Sequence, residues 1–219
     1  MKLLHVDASP RSATSSSRAL SRFFVDRLRR RLPALSVDYL DLAAEPAPAI
    51  TETFTTATYT PAEERTDAMR AALAPSDALC RRLLDADALL FAMPMHNWTM
   101  PAAFKAYIDA IVRGGITYVA TEDGRYVGQL GGRRTLFLTT RGVDLRAGKP
   151  FAAMDMLTPS LRAAFGFIGI DAPEFIDAQP LQFAHEIERA DALRRARREL
   201  AETTQNWADE LRPALSRTG

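Results

Sequence analysis

The chain has 219 residues, 47% hydrophobic and 25% charged, a globular composition that excludes disordered and fibrous architectures. Its 28 Lys and Arg against 27 Asp and Glu leave a net charge of +1, without the basic excess that a duplex-binding protein carries, so no nucleic-acid partner is expected. Cys80 stands alone beside His5, His96 and His185, too few for an internal disulfide or a structural zinc site.

No run approaches the roughly 18 apolar residues of a membrane span, and the apolar stretch after Met1 is too short for a signal peptide. These features, with one unpaired cysteine, fit a reducing compartment, and the expected location is the cytoplasm. A domain of this size buries about 70% of its unfolded surface, and no linker or repeat divides it. A single domain, 1–219, is expected.

Apolar periodicity alternates between short runs and helical stripes. Residues 3–7 read as a strand, followed by a turn-rich segment, 8–17. Leu20, Phe23, Phe24, Leu28 and Leu32 then recur at the three- and four-residue spacing of a helix with one buried face. Residues 36–42 read as a second strand, and the Pro- and Thr-rich stretch 46–61 as a long loop. Helical patterns follow over 62–73 and 75–84, the second capped by Ser76. The continuous apolar run 88–93 predicts a strand buried on both faces.

Pro101 opens the next helix as a first-turn proline, and Gly114-Gly115 closes it. Asp123-Gly124 marks a hairpin between 117–120 and 126–130. Residues 135–140 predict a buried strand, 151–167 a helix, and 174–178 a fifth sheet strand. The last helix carries Leu193, Ala196, Leu200, Trp207 and Leu211 on one stripe. Strands alternating with helices imply right-handed crossovers and a parallel sheet. The expected fold is α/β: a flavodoxin-like, doubly wound, five-stranded parallel sheet of order 2-1-3-4-5, with a small hairpin excursion near 117–130.

Ligands of such sheets bind beyond the carboxyl ends of the strands, at the switch point, where three loops of this chain fall. The first, Ser9-Pro10-Arg11 through Ser15-Ser16-Ser17, lacks both the G-x-G-x-x-G and P-loop patterns. It offers hydroxyls, N–H groups and an arginine at a helix N-terminus, a set suited to a compact phosphate. A serine-rich turn with an N-cap serine is the plain alternative. The second, Met95-His96-Asn97-Trp98, places flat, amphipathic groups outside a buried strand, which suits a planar heteroaromatic ring. The third is Thr140-Arg141-Gly142-Val143, where Gly142 lets backbone approach a ligand or simply makes a turn. There is no G-x-S-x-G elbow, although Ser9 and His96 could meet by folding.

These loops, in this order, resemble those of the FMN-dependent NADH:quinone oxidoreductases known as azoreductases. Arg113-Gly114-Gly115-Ile116-Thr117-Tyr118 and Phe165-Gly166-Phe167 add to the resemblance, which spans nearly the whole chain. It implies FMN held by Ser9, Ser15, Ser16 and Ser17 at its phosphate, and by Met95, His96, Asn97, Trp98, Thr140, Arg141, Gly142 and Val143 around the ring. It also implies NADH or NADPH as donor, and a quinone or azo compound as acceptor in a ping-pong reaction. A homodimer with the flavin near the subunit interface follows too. Trp98 and Tyr118 would wall the acceptor site, and no protein side chain would serve as catalytic acid or base, since the flavin N5 carries the hydride. Family members often carry Tyr at 96, Phe at 98 and Gly at 143, and the 46–62 stretch matches poorly. The other readings are a flavodoxin-type electron carrier and a flavin-free hydrolase using Ser9.

Overall fold

Three strands buried along nearly their whole length form the centre of the sheet: β1 (Lys2–Asp7), β3 (Ala88–Pro94) and β6 (Arg134–Thr140). With helices on both faces, such strands need no polar side, and residues along them are buried almost throughout. The edges are β2 (Ser36–Asp41) and β7 (Glu174–Ala178). All pairings are parallel and the order is β2-β1-β3-β6-β7. This is the expected 2-1-3-4-5 order once the separate hairpin strands β4 (Tyr118–Ala120) and β5 (Tyr126–Gly128) are numbered. The computed structural model describes residues 1–215.

Period-2 alternation divides the core. Leu3, Leu90, Leu136 and Leu138 face α1 (Ser16–Arg31) and α6 (Glu186–Leu215), around the buried Trp207, whose indole meets Phe24 edge-on at 5.2 Å. Leu4, Val6, Phe91 and Phe137 face α3 (Asp67–Leu84), α4 (Ala102–Ile111) and α5 (Leu157–Phe167). There Phe91, Phe137 and Phe165 lie with ring centroids 4.8–5.2 Å apart. Cys80 is fully buried on α3, with its thiol directed at the Ala110 and Ile111 carbonyls, and burial pushes its pKa up to about 11. Among the described residues no helix is long and apolar enough to cross a membrane.

Several sequence expectations are corrected. The supposed loop 46–61 contains α2 (Glu52–Tyr59), whose N-cap is Thr51. Its threonines are poor helix formers, but burial of Phe54 and Ala57 against Leu73 overrides propensity. The helical patterns before and after Pro75 are one helix, α3, starting at Asp67. Ser76 is therefore no cap: its hydroxyl is buried and donates to the Ala110 carbonyl at 2.5 Å, an interhelical tie. Helix α4 ends at Ile111, before the glycines, and the expected helix 151–167 begins only at Leu157, after a 3₁₀ turn at Ala152–Met154.

The hairpin docks through glycines. A Cβ on Gly128 would stand 2.1 Å from the Gly169 nitrogen and the Ile168 carbonyl carbon, and Leu130 N–H donates to the Ile168 carbonyl at 2.9 Å. Gly128→Ala should destabilise the fold by about 1–3 kcal/mol, because the obstacle is backbone and must move. A urea titration with an unchanged midpoint would contradict this close approach.

Candidate functional site

The order of the sheet reverses between β1 and β3, and the loops leaving β1, β3 and β6 converge at their carboxyl ends. They enclose a cleft of about 540 Å³, within the usual range for ligand pockets. It is lined by Ser9, Ser15 and Ser16 from the first loop, by Met95, His96, Asn97 and Trp98 from the second, and by Thr140, Arg141, Gly142 and Val143 from the third. Ser17 and Tyr118 are not among the lining residues. The Ser17 hydroxyl is buried beneath, 3.1 Å from that of Ser15. Tyr118, on the hairpin, packs on Phe167 at 4.7 Å and Tyr126 at 5.7 Å.

The first loop is pinned from below. Ser15 caps α1, accepting from the Arg18 N–H at 3.3 Å. The Arg18 side chain, buried, donates to the Ser9 carbonyl at 2.6 Å and makes a two-pronged pair with Asp41 at 2.6 and 2.7 Å. That fork holds the Asp41 carboxyl below the usual carboxylate range. Under it, Asp7 accepts from Ser21 and Tyr39 at 3.0 and 2.9 Å and lies 3.2 Å from the His5 ring nitrogen. Burial, with Asp7 adjacent, pushes Tyr39 up to about 12. The α1 N-terminus thus presents its unpaired N–H groups, with hydroxyls beside them, to the cleft. Arg11 also lines this part and is exposed.

The second loop is a tight two-residue turn. His96 and Thr99 exchange backbone hydrogen bonds at 2.9 and 3.0 Å, and the residues between, Asn97 and Trp98, have φ of 46° and 72°. Asparagine tolerates the left-handed region; tryptophan pays about 1–2 kcal/mol there. The conformation is held by the Met156 N–H, which donates to the Trp98 carbonyl at 3.1 Å, and by Phe151, 5.8 Å from the indole. The Met95 N–H donates to the Thr140 carbonyl at 2.8 Å, joining the second loop to the third.

In the third loop only backbone faces the cleft at Arg141. Its guanidinium is buried and bound to Asp155 and Thr158 at 2.8 Å, to Asp177 at 3.2 Å and to Thr139 at 3.2 Å. Burial would raise the Asp155 carboxyl, but hydrogen bonds from Thr158 and the charge of Arg141 hold it low. For Asp177 burial prevails and its pKa is raised despite Arg141. Among the described residues the Gly142 and Val143 N–H groups find no intramolecular acceptor.

A fourth wall escaped the sequence reading: Leu181, Gln182, Phe183 and Arg189. Backbone pairing places it, since the Leu181 and Phe183 N–H groups donate to the Arg141 and Gly142 carbonyls at 2.9 and 3.1 Å. No motif announces these contacts. Ser9 is no activated nucleophile: its hydroxyl accepts from the Arg11 N–H at 3.3 Å, and among the described residues no histidine or carboxylate is within hydrogen-bond distance of it.

The lowered carboxyls of Asp41 and Asp155 link the site to pH. Their folded values lie below the unfolded one near 3.9, so their stabilisation is complete above about pH 4 and is lost as pH falls through the folded values. Urea midpoints should therefore drop below pH 4; a midpoint that holds or rises down to pH 3 would refute these pairings.

A cleft of this construction on this sheet belongs to the flavodoxin-like class, and the family model described as flavodoxin-like fold matches residues 1–204. The FMN-dependent NADH:quinone oxidoreductase 1 of Trichormus variabilis is 42% identical over 207 residues, covering 94% of this chain and 97% of that one. The FMN-dependent NAD(P)H:quinone oxidoreductase 1 of Pseudomonas aeruginosa is 39% identical over 183 residues, 81% of this chain and 86% of its own. An azoreductase structure from Bacillus anthracis superposes with a TM-score of 0.86 at 25% identity, covering 94% of this chain and 99% of that one. The chain belongs to the family of FMN-dependent NADH:quinone oxidoreductases.

Proposed function

We propose that this chain acts as a single flavodoxin-like domain and is an FMN-dependent enzyme that passes two electrons from NADH or NADPH to quinones or azo compounds. One observation carries the reading: a hydroxyl-rich helix N-terminus and two ring-sized loops share one cleft at the switch point. The residues fit FMN. Ser9, Ser15 and Ser16 with the α1 N–H groups suit its phosphate, and Ser17 supports Ser15 from beneath. Met95, His96, Asn97 and Trp98 would border the ring on one side, and Thr140, Arg141, Gly142 and Val143 on another. The unpaired N–H groups of Gly142 and Val143 would stabilise negative charge at the ring edge, as oxyanion-hole donors do.

Held by these residues, FMN would supply the two-electron redox chemistry between donor and acceptor. The one cleft would admit donor and acceptor in turn, the order of a ping-pong reaction. Trp98 and Tyr118 are proposed as walls of the acceptor site, Tyr118 reaching it only in the assembled dimer. A homodimer is supported by apolar surface that a second copy would cover: Phe151, Met154, Met156, Tyr126 and Phe167 are all exposed. Cytoplasmic residence is part of the same proposal. An electron carrier needs a partner protein, whereas this reading expects turnover with small molecules alone.

The experiment is an absorption spectrum of protein loaded with FMN and freed of excess, titrated anaerobically with NADH and then a quinone. Flavin bands that bleach and return are expected; protein that retains no flavin would overturn the reading. Light scattering should give twice the chain mass.

A further inference from the structure

Two residues of the fourth wall are not needed by FMN as placed above. Phe183 is 80% exposed, an unusual position for a large ring. Its site is nevertheless defined: the backbone N–H donates to the Gly142 carbonyl at 3.1 Å, and its ring lies 3.0 Å from where a Cβ on Gly142 would stand. Gly142 thus makes room for an aromatic face beside the third loop. Arg189, in the first turns of α6, lines the same cleft and is exposed. Among the described residues no carboxylate lies within ion-pair distance of its guanidinium. Of the acidic residues nearby, Glu188 accepts from the His185 N–H at 3.3 Å.

FMN brings one phosphomonoester, and the serine loop with Arg11 is equipped to take it. A second unpaired guanidinium lining the same cleft as an exposed aromatic ring suits a ligand that carries a second phosphate and a second flat ring. An adenosine carrying a 2′-phosphate has that form. Adenine stacks on exposed aromatic side chains, and a guanidinium grips a phosphate with two parallel hydrogen bonds, the usual device for reading a 2′-phosphate. Resting on the oxidoreductase reading above, we propose that Phe183 and Arg189 form the adenosine 2′-phosphate subsite of the electron donor, so that this chain prefers NADPH to NADH.

The test uses the FMN-loaded protein in its oxidised state, titrated calorimetrically with adenosine 2′,5′-bisphosphate and with 5′-AMP. The bisphosphate should bind about ten-fold tighter or more. In Arg189→Gln that ratio should collapse toward one, with Arg189→Lys restoring part of it, and Phe183→Ala should weaken both nucleotides by similar factors. The kcat/KM ratio of NADPH to NADH should fall about ten-fold in Arg189→Gln. Equal binding of the two nucleotides by the wild type overturns the proposal. So does an Arg189→Gln variant that loses FMN while keeping the nucleotide ratio, which would assign Arg189 to the flavin phosphate. Flavin bleached equally well by NADH and NADPH refutes the subsite and leaves the oxidoreductase reading standing; a protein that retains no flavin refutes both.

Discussion

Arg141→Met should cost about 3 kcal/mol of folding stability, the lower end of the range for breaking a buried ion network. The lower end applies because Asp155 and Asp177 each keep a water-facing edge, with side chains 20% and 24% exposed, whereas that of Arg141 is only 2% exposed. The variant leaves two carboxylates facing one another without a cation. Their folded pKa values must rise, so the missing stability should be largest at neutral pH and should shrink as pH falls toward 4, where protonation removes the repulsion. Urea unfolding of wild type and variant at pH 4.5 and pH 8 measures both effects. A difference that is the same at the two values would mean that the guanidinium packs there without governing the carboxylates. Because Asp155 precedes Met156, whose N–H holds the Trp98 turn, the variant should also lose the defined geometry of the second loop.

A second large effect is expected at the serine loop. Ser9 and Ser16 line the cleft, and a hydrogen bond to a charged phosphate is worth about 1.5–3 kcal/mol. Replacing both by Ala should therefore weaken FMN by about 100-fold or more, while riboflavin, which has no phosphate, should bind with nearly unchanged affinity. Ser15 is left intact because its hydroxyl caps α1. The FMN-to-riboflavin affinity ratio, read by flavin fluorescence, separates this role from general damage to the cleft. A double variant that weakens both flavins equally would remove the phosphate from that loop.

The parts of this molecule that were legible in the sequence are those governed by local pattern. The run Ala88–Met93 reads as a doubly buried strand because parallel strands under two helical layers need no polar face. The order of elements then fixes the reversal in the sheet and the loops beside it. What was missed depends on tertiary contact. Helix α2 is a threonine-rich segment made helical by the burial of Phe54 and Ala57, and α3 continues through Pro75 because its two halves share one buried face. At the site, three walls follow strands with recognisable ends, and the fourth is placed by hydrogen bonds from Leu181 and Phe183 to a loop some 40 residues earlier, between Arg141 and Gly142. Nor could sequence reveal that the Arg141 guanidinium is turned away from the cleft, since that follows from two aspartates distant in the chain.

The burial of Cys80 carries a chemical consequence. Quinones are electrophiles that arylate thiolates, and an enzyme handling them is exposed to its own substrate. The thiolate is the reactive form of cysteine, and with a pKa near 11 and no solvent access this one is neutral and sheltered. Amines are nearly as scarce, since Lys2, Lys105 and Lys149 are the only lysines among 28 basic residues. The one thiol of the chain is withheld from quinones by its burial, and resistance to arylation at sulfur comes with the packing of α3 against α4.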